Sequence, residues 1–367
     1  MSLSAQTRAP VSALIFLATA AAHVHACNVP VYRYALERWQ PSPYQVVVFS
    51  SGELDEDGRK AVEALRSATP EGGGHANLQV HSVDVAVDVS DSLRKLQSDI
   101  PAELPCIALL FPARKAGDRI VWSGPLTLST ARQIFGSPAR EETARRIADG
   151  QTAVWVLLES GDRNKDDAAA RALTDALAEM PELLSFPPEL MDEAPRLATR
   201  LRIEFTLVRI RRDDARECIF AAMLRGSEAD LGTTYADEPV AFPVYGRGRT
   251  LFAVVGPGIE RSNIVMACRF LTGRCSCEVK EENPGMDLLI DYPWRESLEV
   301  SLVDLVELPA PIDENVSSGE ASSSPVPASN KPSGSSALAR NTWIAGGLIV
   351  LAAALAVTKV ARRRRRG

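Results

Sequence analysis

Histidine is nearly missing. The chain of 367 residues holds four, and only His75 and His81 lie beyond residue 26. That argues against histidine-rich zinc centres and a histidine-based catalytic triad. Cysteine is scarce as well. Six in a chain of this length cannot staple the fold, so the core has to come from apolar packing. No two of them stand as Cys-x-x-Cys. Basic stripes are also lacking: between residues 27 and 340, 34 cations face 47 anions, a net charge of −13. An acidic surface of that kind argues against nucleic acid as a partner.

Long apolar runs occur at the two ends. Residues 1–26 carry one cation, Arg8, then "VSALIFLATAAA" and a Val-x-Ala site closing at Ala26. This is the grammar of a secretory signal peptide, and the run is too short to span a bilayer. At the other end, 18 residues from Trp343 to Val360 contain Lys359 as their one charge. As a helix they would cover about 27 Å, close to a hydrocarbon core. The expectation is a transmembrane helix at 341–361, with the arginine tail at 362–367 holding the C-terminus in the cytoplasm. A sorting tail that is removed is the alternative. Before it, 309–340 is rich in Ser, Pro and Ala and reads as a flexible linker.

The length predicts two domains, placed at 27–150 and 151–308. "NVPVYRYALERW" reads as a short helix capped by Asn28 and opened by Pro30, with Val31, Ala35 and Trp39 on one face. Two segments then share one grammar. The first predicts a strand at 46–49, a helix at 54–67, a strand at 78–85 and a helix at 90–98. The strands "PCIALLFP" and "RIVW" follow, then a helix from Leu128. The second predicts the strand "TAVWVLLES", a helix at 166–180, a strand at 203–210 and the helix "ARECIFAAMLRG". The strands "PVAFPVY" and "TLFAVV" come next, joined through a hairpin turn in "YGRGRT", and a helix at 260–271 closes the segment.

Landmarks recur with the order. Ser51, Gly52 and Glu53 match Ser160, Gly161 and Asp162. Proline opens both third strands, at Pro105 and Pro239. Gly124 with Pro125 answers Gly256 with Pro257. On these residues, over about 44–135 and 152–273, the chain resembles thioredoxin-like proteins, with "ELPCIALLFP" and "EPVAFPVYGRGRTLFAVVGPGI" similar to that fold's proline-led strands. The resemblance implies an α/β chain of two tandem thioredoxin-like domains, each a central mixed sheet flanked by helices. It also implies that Pro105 and Pro239 stand at the family's cis-proline, beside the surface that holds substrates in active relatives. "ACNVPVYRYALERW" with "VWVLLESGD" resembles a group of bacterial secreted proteins. That likeness brings no activity but favours a bacterial envelope, with the ectodomain on the periplasmic side.

The chain departs from the redox members of that family. Neither strand-to-helix junction, "FSSGELDEDG" nor "LESGDRNKDD", holds a thiol. Both hold acids, which stabilise a helix start and disfavour a thiolate. The expectation is a module without exchange catalysis and without cofactor. It would bind another envelope protein, with Pro105 and Pro239 as partner-surface candidates. A second reading from another class rests on Cys275 and Cys277 in "GRCSCEVK", beside Arg269, Arg274 and Lys280. That pair is open to a structural disulfide, within itself or to another cysteine, and to a redox or soft-metal site. Cys268 lies about 10 Å before Cys275 if its helix runs on, too far to bridge unless the break at Gly273 shortens the path. By the fold resemblance the helices carrying Cys218 and Cys268 cover opposite sheet faces. Cys106 reads as a buried small apolar residue, and Cys27 is open to lipid modification after cleavage. "DRNKDD" has alternating oxygen ligands but lacks the glycine and glutamate of a calcium loop, so it reads as a helix cap.

Overall fold

Two valine-rich runs become the central strands of two sheets. The computed structural model describes residues 27–87, 89–112, 120–186, 202–275 and 280–297. The expected signal peptide, linker and transmembrane helix lie outside them. Among the described residues no helix is long and apolar enough to cross a membrane.

In chain order, strand β1 (Cys27–Pro30) runs directly into helix α1 (Val31–Arg38). The first sheet then begins with β2 (Tyr44–Ser50), α2 (Glu56–Ala68), β3 (Leu78–Asp84) and α3 (Asp91–Ser98). It closes with β4 (Cys106–Leu110), β5 (Ile120–Pro125) and α4 (Leu128–Phe135). Helix α5 (Pro138–Ala148) links it to β6 (Ala153–Leu158), α6 (Arg163–Leu183) and β7 (Phe205–Ile210). Helix α7 (Cys218–Gly226), β8 (Val240–Tyr245), β9 (Arg249–Thr250) and β10 (Val254–Val255) follow. Helix α8 (Arg261–Thr272), β11 (Arg274–Cys275) and β12 (Met286–Asp287) complete the order. Helix starts carry the expected chemistry: Asp55, Ser90, Thr127, Ser137 and Asp162 each accept a backbone N–H of their first turn.

The first sheet has the order β3-β2-β4-β5, with β2 and β3 parallel and the other neighbours antiparallel. The second repeats this: β6 pairs β7 in parallel and β8 antiparallel, and β9, β10 and β12 extend the far side. The predicted strand "TLFAVV" is broken into β9 and β10. Pro243 of β8 accepts from Leu251 N at 3.1 Å but has no N–H to return, so the ladder lapses there. Gly246 (φ 58°) and Gly248 (φ 88°) make the expected hairpin turn.

Side chains alternate across each sheet. Val46 and Val48 with Ile107 and Leu109 face one core; Val47 and Phe49 with Ala108 face another, under α3. In the second sheet Val154, Val156 and Leu158 face α7, whereas Ala153, Trp155 and Leu157 face α1, α6 and α8. The helices bearing Cys218 and Cys268 therefore cover opposite faces, as expected. The inner faces of both sheets belong to one continuous cluster, so the two repeats share a core. Helix α1 buries Val31, Tyr32 and Ala35 against the second sheet, far along the chain. Asn28 lies in β1 and does not cap it; Pro30 precedes the helix without a side-chain cap. The carbonyls at the end of α1 are taken by Arg247, whose guanidinium donates to Leu36 O at 2.8 Å and Glu37 O at 3.2 Å.

Two buried polar knots hold this arrangement. Arg140, 2 % exposed, donates to Leu289 O at 2.7 Å, Ile134 O at 3.0 Å and Gln133 O at 3.2 Å. It thereby ties the turn between α4 and α5 to the C-terminal segment, and burial lowers its pKa to about 10. In the second knot Asp287 pairs with Arg249 at 3.0 Å and Lys280 at 2.8 Å, and accepts from Ser42 N at 2.9 Å. Arg249 also donates to Asn283 O and Gly285 O.

Candidate functional site

Each repeat has a corner where its two parallel strands end and the next helix starts, and the strand register makes the corners equivalent residue by residue. Phe49 faces Val83 and Cys106; Leu158 faces Ile210 and Val240. One step on, Pro105 corresponds to Pro239. Three residues on, Gly52 corresponds to Gly161, and both have left-handed φ, 77° and 95°. Pro105 O accepts from Leu126 N at 3.1 Å and Pro239 O from Gly256 N at 2.8 Å, closing both corners identically. The third landmark does not share this register. Pro125 lies opposite Cys106, whereas Val255 lies opposite Val240, so Gly256 and Pro257 fall beyond the strand end. Recurrence of Gly-Pro is a coincidence of composition at turns.

The corners are built on carboxylates. In the first, Asp84 accepts from Gly52 N at 3.0 Å and Ala86 N at 2.9 Å. Those two N–H groups hold its carboxyl below the usual range. Asp55 takes Gly58 N at 2.7 Å. In the second, buried Asp166 accepts from Ser160 N at 2.6 Å, Ser160 Oγ at 2.8 Å and Gly161 N at 3.0 Å. Asp162 caps α6 through Asn164 N and Lys165 N, so "DRNKDD" is a helix start, as expected. Replacing Asp166 with alanine removes a charged acceptor from two half-exposed backbone donors; the expected loss is about 1–3 kcal/mol of stability, the net worth of hydrogen bonds to a charged group. Urea unfolding of the two proteins measures it.

The corners differ in access. Ser51, Gly52 and Pro105 are exposed, and Val87, just past β3, is 62 % exposed. Pro239 is buried. In front of it Lys165 pairs with Glu238 at 2.7 Å and donates to Asp237 O at 3.1 Å, strapping the strand entry to the first turn of α6. The Leu104–Pro105 bond is cis, as expected, but Glu238–Pro239 is trans. The segments before the two prolines are held differently: Leu104 packs against the core behind β4, and Glu238 is clamped by Lys165. Beside the second corner lies a cleft of about 580 Å³, lined by four arginines and four carboxylates. Its charges neutralise one another in pairs such as Arg209 with Glu159 (2.6 Å) and Asp167 (2.9 Å), and Arg211 with Asp213 (2.6 Å).

No protein-family model matches the chain, and no curated protein sequence matches it.

The thiols lie elsewhere. Cys106 is buried in β4, as expected, and burial pushes its thiol up. Cys268 is buried in α8, pushed up to about 12 by burial against a small lowering from Trp155. Cys106, Cys218 and Cys268 are free thiols. Cys275 lies on a two-residue strand, not on the irregular connection expected, because β1 runs beside it; Cys277 is outside the described residues. Sequence reasoning missed Asp84 as an N–H acceptor and the Lys165–Glu238 strap. Charge in the sequence marks such residues as solvated and carries no sign of the backbone groups they meet.

Proposed function

We propose that the chain is an extracytoplasmic binding or assembly module of two thioredoxin-like halves, without exchange catalysis. It is tethered by its C-terminal apolar segment and engages another envelope protein. The thioredoxin-like reading is supported by the shared strand order, by a helix joining two parallel strands in each repeat, and by a proline opening each third strand. One observation carries the loss of exchange chemistry. At both strand-to-helix corners, where a reactive thiolate would draw on backbone N–H groups, carboxylates already accept them: Asp84 and Asp55 in one, Asp166 and Asp162 in the other. The first corner carries the contact surface, because Pro105 and Val87 are exposed there, whereas Pro239 is buried and the cleft beside the second corner is lined by charges paired with one another.

Two measurements on the full chain test this reading. Insulin reduction by glutathione is expected to proceed at the uncatalysed rate; acceleration overturns the reading. A protein recovered in stoichiometric amount with the wild-type chain is expected to be lost with Val87→Asp, a substitution at an exposed site that leaves the fold intact. Retention of that protein by the variant moves the contact away from this corner.

A further inference from the structure

Strand β1 opens on Cys27, and β11 closes on Cys275. The two strands pair antiparallel, with Cys27 as the register partner of Cys275 and, across a bulge in β1, Pro30 as the partner of Arg274. Cα atoms that face each other across an antiparallel pair stand about 4.5–5.5 Å apart, inside the range of about 4.4–6.8 Å that a disulfide spans. The other described cysteines offer no competing partner: Cys106, Cys218 and Cys268 are free thiols, belonging to three different packing clusters. A backbone hydrogen bond from Val31 N to Gly273 O at 3.0 Å carries the pairing on into α1.

We propose that Cys27 and Cys275 form a disulfide that fastens the first residues of the mature chain to the end of α8. The oxidant is a donor protein disulfide of the kind that oxidising compartments supply. The thiolate of one cysteine attacks the donor, forming a mixed disulfide and releasing one donor thiolate. The second cysteine's thiolate then displaces the remaining donor sulfur. One S–S bond forms here and one breaks in the donor, which takes up two electrons and two protons. The bridge anchors α1, whose Val31, Tyr32 and Ala35 fill the outer face of the second sheet. It also removes Cys275 from any thiol or metal chemistry with Cys277. The proposal stands independently of partner binding at the first corner.

Peptide mapping of the full chain tests it, with free thiols alkylated at harvest and trypsin digestion without reduction. The expected product joins residues 27–33 to 275–280, lighter than the sum of its parts by two hydrogens, with Cys277 alkylated. If the leader persists, the link appears on residues 9–33. In Cys277→Ser the linked product is expected to remain, and in Cys275→Ser to vanish. An internal bridge between Cys275 and Cys277, a Cys27–Cys277 link, or Cys27 found alkylated or acylated each overturns the proposal.

Discussion

Asp287→Ala is expected to lower stability by about 3–5 kcal/mol, the range for removing one partner from a buried ion pair. The side chains of Asp287 and Arg249 are 6 % and 3 % exposed, and that of Lys280 is 11 %. Removing the carboxylate leaves two buried cations without their anion, and takes the acceptor from Ser42 N. Urea unfolding of wild type and variant reads the loss directly. A control separates charge from packing. Replacing Arg249, Lys280 and Asp287 together by apolar residues of similar size should cost much less than Asp287→Ala alone, because no charge is left unpaired.

The same group sets an acid limit. Burial alone would raise the Asp287 pKa, but the Lys280 hydrogen bond, the Arg249 charge and Ser42 N–H outweigh it, and the folded value lies below the usual one. A carboxyl depressed on folding contributes stability above its unfolded pKa, about 3.9, and loses it as pH falls through the folded value. Wild type should therefore weaken steeply below about pH 4. In Asp287→Asn this part of the pH dependence should disappear; an unchanged acid transition in the variant would assign it to other carboxylates.

Arg140→Ala is the second large effect, about 3–5 kcal/mol, since it takes the donors from several carbonyls at once, each costing about 1–3 kcal/mol when left buried and unpaired. The guanidinium serves carbonyls of Gln133, Ile134 and Gly136 at the end of α4, and Leu289 O from the C-terminal segment. Loss of the side chain orphans them in the core both sheets share. Arg140→Met keeps most of the volume but none of the donors. If it destabilises nearly as much as alanine, the hydrogen bonds dominate; if it is near wild type, the side chain acts by filling space. Hydrogen exchange in α4 and α5 should rise in both variants, because that turn is what the guanidinium holds.

Much of the secondary structure was legible because its causes are local. "YQVVVFS" and "AVWVLL" are apolar runs suited to strands covered on both faces, and they became the centres of the sheets. Helix starts were marked by Asp55, Ser90 and Asp162 within three residues of the donors they cap. Helix α5 was missed: "PAREETARRIA" is too polar to show a clear apolar stripe, and its buried Arg140 counts as surface in any sequence pattern. Strand β12 was missed because its two residues gain strand geometry only by lying beside Thr250 and Arg249.

By itself, then, the sequence determined the order of the main strands and helices within each repeat, the acid-capped helix starts and the thiol-free corners. Each follows from residues within one turn or one strand of each other. Tertiary structure alone decided that Pro239 is buried behind Lys165 and Glu238, that both repeats share a core, and that Cys27 faces Cys275. It also decided that Asp287 meets Ser42, 245 positions away in the chain. Such pairings depend on which distant faces exclude water together, and no local pattern of residues encodes that choice.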